Sequence, residues 1–600
     1  MTPPNLPFEE IWLHDFEFVP RPGERPDVAC LAARELRSGL TIGLRRDELG
    51  PQPPYRVDEK AVVVSFVANA EVTCHLSLNW PVPKNIIDLS PAFRNIVNGR
   101  SVPEGKSLLG ALRYYGLDTI NPKQKDAMRK RIMQGWPFTP EEMAQIQAYC
   151  LGDVDDLERL LSCILGESEF DLGVALYHGE SVAASALMEH YGVPVNLPVF
   201  SQLADKHTWS AIRDEMVPVI DAKYGVYIRG ADGDWHFNME RFAAYLDREE
   251  IIGWPRLESG QLNMRRKTFE EMSKGHPQLE DLRQLRHARD KMRRVKLTVG
   301  EDGRNRTVLW PFKAKTSRTQ PKASQWIFSP AVWLRSLIRP EPGRAVAYID
   351  YSSMEFLIAA SLSDGHCGPV NNMLEMYKTG DPYWSFAKRA GAVPSGVEKK
   401  SYVDVRNKYK NMLLAVQYGM GTETLAARLG VSSIEAHQML NQHKELFAQY
   451  WRWSDDWLQA ALQTGIMRTA FGWTCRTGIL EFNERSIRNW PIQATGADIL
   501  RIACILMVRH GIRLLAPIHD AVLIEASLED IEKDVALAQE CMRRASRIVL
   551  NKDPTGTHEL RTDCKIVRWP DRYSDPRGEG IWARVVELLG QQPAPIRERA

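Results

Sequence analysis

LLAPIHDAVLIEA, residues 514–526, decides how this chain reads. Two apolar runs flank His519-Asp520, which predicts a hairpin with strands at 513–518 and 521–526 and Asp520 at its turn. A second stretch, AVAYIDYSSMEFLIAA (345–360), ends a buried strand, 345–350, in Asp350 and runs straight into the helix MEFLIAASL. Hard divalent cations such as magnesium take carboxylate oxygens. Two such ions clamp the attacking and leaving oxygens of a phosphoryl transfer. Either aspartate alone would also suit an ordinary turn.

The stretch between them supplies a cationic partner. In RNKYKNMLLAVQYG (406–419), Arg406, Lys410, Leu414 and Tyr418 recur every four residues. Along a helix such a row drifts only about a third of a turn, so one face carries two cations, an apolar side chain and an aromatic ring. That face suits a triphosphate and its base; the competing reading is a solvated basic face leading into core. RSIRNWPIQATGAD (485–498) repeats the spacing with Arg485, Asn489 and Gln493.

The 600 residues allow three or four folded units, and 44% apolar with 26% charged residues is a globular balance. A formal charge of +1 means that any DNA-binding surface must be local. Nine cysteines without C-x-x-C spacing indicate neither a zinc ribbon nor a disulfide framework. The N-terminus lacks a basic segment followed by an apolar run, and no long uncharged apolar stretch stands out. The expectation is a cytoplasmic chain with no signal peptide and no membrane partner.

Residues 8–165 alternate strand-like runs (IWLHDFEFV, LTIGLR, AVVVSFV) with helical ones, an α/β pattern. From about 168 to 300 the pattern is helical and charged. From about 330 onward strands and long helices mix, and this part holds all four motifs.

Together these motifs resemble family A DNA polymerases, the class of bacterial DNA polymerase I. AYIDYSSMEFLIAA resembles motif A (DYSxxE), RNKYKNMLLAVQYG fits motif B (R-x3-K-x7-YG), RSIRNWPIQ fits R-x3-N-x3-Q, and His519-Asp520 matches motif C. The hits fall in family order across roughly residues 300–575. The resemblance implies an α+β right-hand polymerase fold with thumb at 168–328, palm at 329–365 and 476–600, and fingers at 366–475. It implies a compact, phage-type member without a 5′-nuclease domain, acting on primer-template DNA and dNTPs with two Mg2+ ions. Asp350 and Asp520 become the catalytic metal ligands, with the Tyr351 carbonyl a further one. Arg406 and Lys410 would bind the triphosphate, and Lys410 would protonate the leaving pyrophosphate. Tyr418 and Leu414 would border the nucleotide. Arg318, Arg485, Asn489, Gln493 and His519 would touch DNA. Glu355 would be the steric gate against a ribose 2′-hydroxyl, although Ser352-x-x-Glu355 also has the form of a helix capping box. Two departures stand out: Ala521 follows Asp520 where the family usually has a glutamate, and Leu414 sits where an aromatic is common. The nearest alternative is a single-subunit RNA polymerase.

Upstream, alternation puts Asp15 and Glu17 on one face of a strand, and Tyr149 and Asp153 stand one helical turn apart. DxE with a later YxxxD resembles an α/β ribonuclease H-like 3′–5′ exonuclease over 1–167, with Asp15, Glu17 and Asp153 holding two divalent ions and Tyr149 orienting water. At the second exonuclease motif the carboxylate available is Glu71, one methylene longer than the usual aspartate. The alternative there is an inactive exonuclease fold. The basic segment near 265–296, with Arg283, Arg286, Arg289, Arg293 and Arg294, is expected either to track DNA phosphates or to form a solvated helix face.

Overall fold

Alternating strand residues feed two separate cores in the first part of the chain. In the computed structural model, residues 5–590 are described apart from 120, 232, 234, 258, 292–296, 329–330, 367–370, 395, 479–483 and 552–556. Strands β1 (Glu10–Val19), β2 (Asp27–Glu35), β3 (Thr41–Arg45), β4 (Ala61–Ser65) and β5 (Ile86–Asp88) form one sheet in the order β3-β2-β1-β4-β5. β2 is antiparallel to β1 and β3, whereas β4 runs parallel to β1 and β5. The run AVVVS is buried at every position of β4, as a strand covered on both faces requires. Ile11, Leu13, Val62 and Val64 pack with helix α3 (Pro140–Leu165). Trp12, Phe16 and Val63, on the opposite face, pack with Cys74 of helix α1 (Ala68–Ser77). Period two therefore aims Asp15 and Glu17 at the α3 side. Helix α2 (Pro122–Gln134) crosses near the same end.

Helix α4 (Leu172–Tyr191) bridges the two sheets. It packs on α1 and β5, then on β7 (Arg513–Ile518) and helix α7 (Glu484–Arg509) of the second part. There β6 (Arg344–Tyr351), β7, β8 (Ala521–Ser527) and β9 (Thr562–Arg568) form an antiparallel sheet in the order β7-β8-β6-β9. The strands fall at the expected positions within a residue. In β6 the alternation is visible in burial: Ile349 and Tyr351 are in the core, while Tyr348 and Asp350 are only partly covered. Helices α5 (Met354–Leu362), α7 and α8 (Ile531–Asn551) cover the core face, and Tyr351 donates its hydroxyl to the Met542 carbonyl at 2.7 Å. Helix α6 (Val403–Gln417) stands across from the strand ends. Among the described residues only α7 is long and apolar enough to cross a membrane, and 83% of its apolar window is buried inside the molecule. Asp498 and Arg501 interrupt that window, so α7 is a core helix and not an uncharged apolar stretch.

Candidate active sites

Both acid-bearing strands of the second sheet end in a residue forced into the left-handed region. His519 has φ +55° between β7 and β8, and Ser353 has φ +56° between β6 and α5. Residues with a Cβ adopt this conformation at some cost, and such positions concentrate at functional sites. Here they turn the chain so that Asp350 and Asp520 face one cavity of about 1170 Å³. Arg318, Tyr351, Glu355, Arg406, Lys410, Leu414, Tyr418 and His519 also line it. Four stretches separated in sequence thus meet in one cleft.

The charges in the cleft are unbalanced locally. Burial, then the neighbouring Asp520 and Asp563, push the Asp350 carboxyl up to about 6. Burial and then Glu355 raise Asp520, while Arg318 and Lys410 oppose the rise. Burial, then Arg406, lowers the Lys410 ammonium, bringing it closer to giving up a proton near neutrality. Crowded carboxylates of this kind fit divalent cations with oxygen ligands, which would relieve the repulsion.

Across the cleft, α6 presents its expected row. Arg406 Nε donates to Asp381 Oδ2 at 3.0 Å, and the guanidinium lies 5.2 Å from the centroid of Tyr383. The Lys410 ammonium lies 5.8 Å from the same ring, so Tyr383 spaces the two cations. Asp381 and Tyr383 were missed in the sequence. Asp381 does carry a local signal, since its side chain caps the helix Pro382–Arg389 through the Trp384 N–H.

Glu355 does not close a capping box. The N-cap residue of α5 is Ser353, without a side-chain cap bond. Its left-handed backbone instead sends Glu355 into the cleft, where it accepts the Tyr418 hydroxyl and pairs with Arg318 at 3.4 Å. Gln417 Nε2 donates to the Glu355 carbonyl at 2.9 Å, tying α6 to α5. Asn489 donates to the Tyr418 carbonyl at 3.2 Å, and Gln493 hydrogen-bonds the Tyr418 side chain. Arg485 packs on Gly419, whose φ of +75° and closeness (a Cβ there would lie 3.2 Å from Arg485 Cγ) call for glycine.

A second acidic site lies on the first sheet. Asp15, Glu17 and Asp153 offer carboxylate oxygens within 4.8 Å of one another, the one such group among the described residues. Burial and then Asp153 raise Asp15 well above the usual carboxylate range, and burial and then Asp15 do the same to Glu17. Asp15 Oδ2 is buried and has no hydrogen-bond partner. An orphaned oxygen among crowded acids fits a cation. Tyr149 hydrogen-bonds Asp153. Glu71 lies outside this trio. It is buried, accepts the Phe16 N–H at 2.9 Å, and is raised by burial and by Asp15 and Glu17. The unforeseen member is Lys125 on α2, which donates to both Asp153 oxygens at 2.8 and 3.1 Å and lies 5.4 Å from the Tyr149 ring. Nothing in the charged run PKQKDAMRKRIMQ marks it out.

Of the basic segment, Arg283 pairs with Glu280 at 2.6 Å and Arg286 lies 4.2 and 4.6 Å from the Phe237 and Phe269 rings. These two serve the local packing. The Arg289 side chain, Arg293 and Arg294 lie outside the described residues.

The mixed α/β architecture around the cleft is that of a polymerase domain. The chain superposes on the structure of the "POL domain of Pol1 from M. smegmatis complex with DNA primer-template and dNTP" with a TM-score of 0.65, at 20% identity, over 93% of this chain and 94% of that one. The model of DNA polymerase family A matches residues 323–558. The chain is 26% identical over 230 residues to a thermostable DNA polymerase I of Thermus caldophilus, a match covering 35% of this chain and 26% of the relative. With DNA polymerase I of Chloroflexus aurantiacus it shares 29% over 235 residues, 36% of this chain and 23% of the relative. The matched region thus spans about a quarter of these relatives' length.

Proposed function

We propose that this chain is a template-directed DNA polymerase that adds dNTPs to a primer 3′ end, with a 3′–5′ exonuclease unit at 1–167. The partition is thumb at 168–328, palm at 329–365 and 476–600, and fingers at 366–475. One observation carries the reading: Asp350 and Asp520, at adjoining strand ends, face the Arg406–Lys410–Tyr418 row across one cavity. The match of residues 323–558 to the model of DNA polymerase family A supports it, as does the DNA primer-template and dNTP named for the M. smegmatis structure.

The primer hydroxyl attacks the α-phosphate, and pyrophosphate leaves. Asp350 and Asp520, with the Tyr351 carbonyl, would hold two magnesium ions, which when bound neutralise charge on the attacking and leaving oxygens. Arg406, steadied by Asp381, grips the triphosphate. Lys410, its ammonium acidified by burial, gives a proton to the leaving pyrophosphate. Leu414 and Tyr418 border the base, and Glu355 stands against the 2′ position of the sugar. Arg318, Arg485, Asn489, Gln493 and His519 face the primer-template. In the exonuclease unit Asp15, Glu17 and Asp153 would hold divalent cations and Tyr149 would orient the attacking water, while Glu71 holds β1 through the Phe16 N–H.

Labelled-primer extension with wild type, Asp350→Ala and Asp15→Ala tests both halves. Asp350→Ala abolishes extension and spares primer degradation; Asp15→Ala does the reverse. Extension that survives Asp350→Ala refutes the polymerase assignment. Efficient use of rNTPs by wild type would favour an RNA polymerase instead.

A further inference from the structure

Six lysines and arginines line the cleft, and the chain itself pairs four of them. Arg318 pairs with Glu355, Lys399 and Arg406 with Asp381, and Arg543 with Glu540. Among the described residues Lys410 and Arg561 form no ion pair within 4.0 Å. Lys410 already has a place in the polymerase reading. Arg561 has none, and its surroundings are specific.

Arg561 stands immediately before β9. Its carbonyl accepts the Ser352 N–H at 2.9 Å, which carries the β6–β9 ladder one pair beyond Tyr351 and Thr562. Since Asp350 pairs with Asp563, the strand period of two returns Arg561 to the face of Asp350, about 6–7 Å further along the sheet. That step is comparable with the reach from the first to the last phosphate of a triphosphate.

The side chain is fixed there. Its guanidinium carbon lies 4.1 Å from the centroid of Tyr377, whose hydroxyl accepts the Arg561 N–H at 2.8 Å and donates to the Ser352 carbonyl at 3.3 Å. Nη1 lies 3.9 Å from where a Cβ on Gly380 would stand. Among the described residues beyond the adjoining chain, it is the only atom within 4 Å of that point, so this nitrogen borders open space. Gly380 has φ +98°, a conformation that favours glycine and keeps the space clear. The next residue, Asp381, accepts Arg406 Nε at 3.0 Å, so Arg561 and Arg406 flank one short turn. Nη2 is covered and has no hydrogen-bond partner, so the protein leaves the fork unsatisfied. A stacked, unpaired guanidinium beside open space is suited to a phosphate.

We propose that Arg561 binds the terminal phosphate of the incoming nucleotide, beyond the phosphates that Arg406 and Lys410 take. This rests on the polymerase reading above, which gives Arg561 no part and holds without it.

The test measures nucleotide affinity in the complex with primer-template, on a primer ended with a dideoxynucleotide so that no chemistry follows. With Mg2+ present, dCTP and dCDP are titrated opposite a template guanine into wild type and Arg561→Gln. Arg561→Met, which keeps an aliphatic stem against Tyr377, is read as a second variant. Both variants are expected to weaken dCTP by about 10- to 150-fold, the range for a hydrogen bond to a charged group, and dCDP by less than about threefold. The preference for dCTP over dCDP falls accordingly. Equal losses for the two nucleotides in both variants overturn the proposal, because they place Arg561 in the structure of the strand end alone. Unchanged dCTP affinity overturns it as well. Wild type that binds neither nucleotide and extends no primer would instead bring down the polymerase reading, so the two failures are distinguishable.

Discussion

In the proposed polymerase Glu355 would measure the sugar of an incoming nucleotide, and its anchors would set how firmly it does so. It accepts the Tyr418 hydroxyl and pairs with Arg318, whose side chain is 27% exposed. A ribose 2′-hydroxyl must push the carboxylate off these partners. Loss of a hydrogen bond to a charged group costs about 1.5–3 kcal/mol. The partly exposed ion pair adds about 0.2–1 kcal/mol. Together they put the barrier at about 2–4 kcal/mol, or roughly 30- to 1,000-fold in selectivity. Glu355→Ala should lower the ratio of kcat/KM for dCTP over CTP by that factor. Tyr418→Phe, which removes the stronger anchor and keeps the carboxylate, should lower it by about 10- to 150-fold. Single-turnover incorporation opposite a template guanine gives both constants. The ratio is the quantity to read, because the Tyr418 hydroxyl also loses its acceptor in Glu355→Ala and dCTP incorporation itself slows. A ratio that stays within about threefold of wild type in Glu355→Ala would refute the reasoning.

Three further outcomes are expected. Lys125 competes for the oxygens of Asp153, so Lys125→Met should tighten Mn2+ binding to the Asp15–Glu17–Asp153 trio by about tenfold in calorimetric titration of an Asp350→Ala background; weaker binding would mean that the lysine assists the site. Glu525, fully buried on β8, takes Arg304 at 3.0 Å, Arg513 at 2.9 Å and Arg344 at 3.4 Å, so Glu525→Gln removes the carboxylate partner of Arg513 and Arg344, leaves Arg304 with Glu341, and should cost about 3 kcal/mol in denaturant unfolding, an idea an unchanged midpoint would sink. Glu189 joins α4 to Asn69 and Leu309, and burial raises its carboxyl to about 8. The folded chain therefore keeps a proton that the unfolded chain releases above about pH 4.5, and the stabilisation present below that pH is lost as pH rises through about 8. Glu189→Gln should flatten this slope and raise the melting temperature at pH 8.5 relative to wild type, with little change at pH 4; equal slopes in the two proteins would count against it.

Comparison of the two acidic sites shows where local pattern stops being informative. Asp350 and Asp520 were legible because each ends an apolar run whose period gives the strand, and the strand gives the direction of the carboxylate. The Arg406–Lys410–Tyr418 row was legible because four-residue spacing alone puts side chains on one helix face. The capping box at Ser352–Glu355 was a local pattern too, and it failed. The chain turns there through a left-handed Ser353, and the cleft offers Glu355 better partners than its own helix end. Lys125 and Asp381 reach their partners, Asp153 and Arg406, from 28 and 25 residues away. No periodicity records such a meeting.

By itself the sequence determined which residue types stand on which face of each strand and helix, and hence the chemistry of the cleft. Those properties depend on backbone periods of two and 3.6, which any short window carries. Only the tertiary structure decided which faces meet. It set β6 between β8 and β9, so that Asp350 lies level with Ala521 on one side and Asp563 on the other. It laid Lys125 against the acidic trio and brought Tyr418 to Glu355. Strand order and register follow from packing summed over the whole core, and a carboxylate on the last strand finds its place opposite Asp350 only when that core closes.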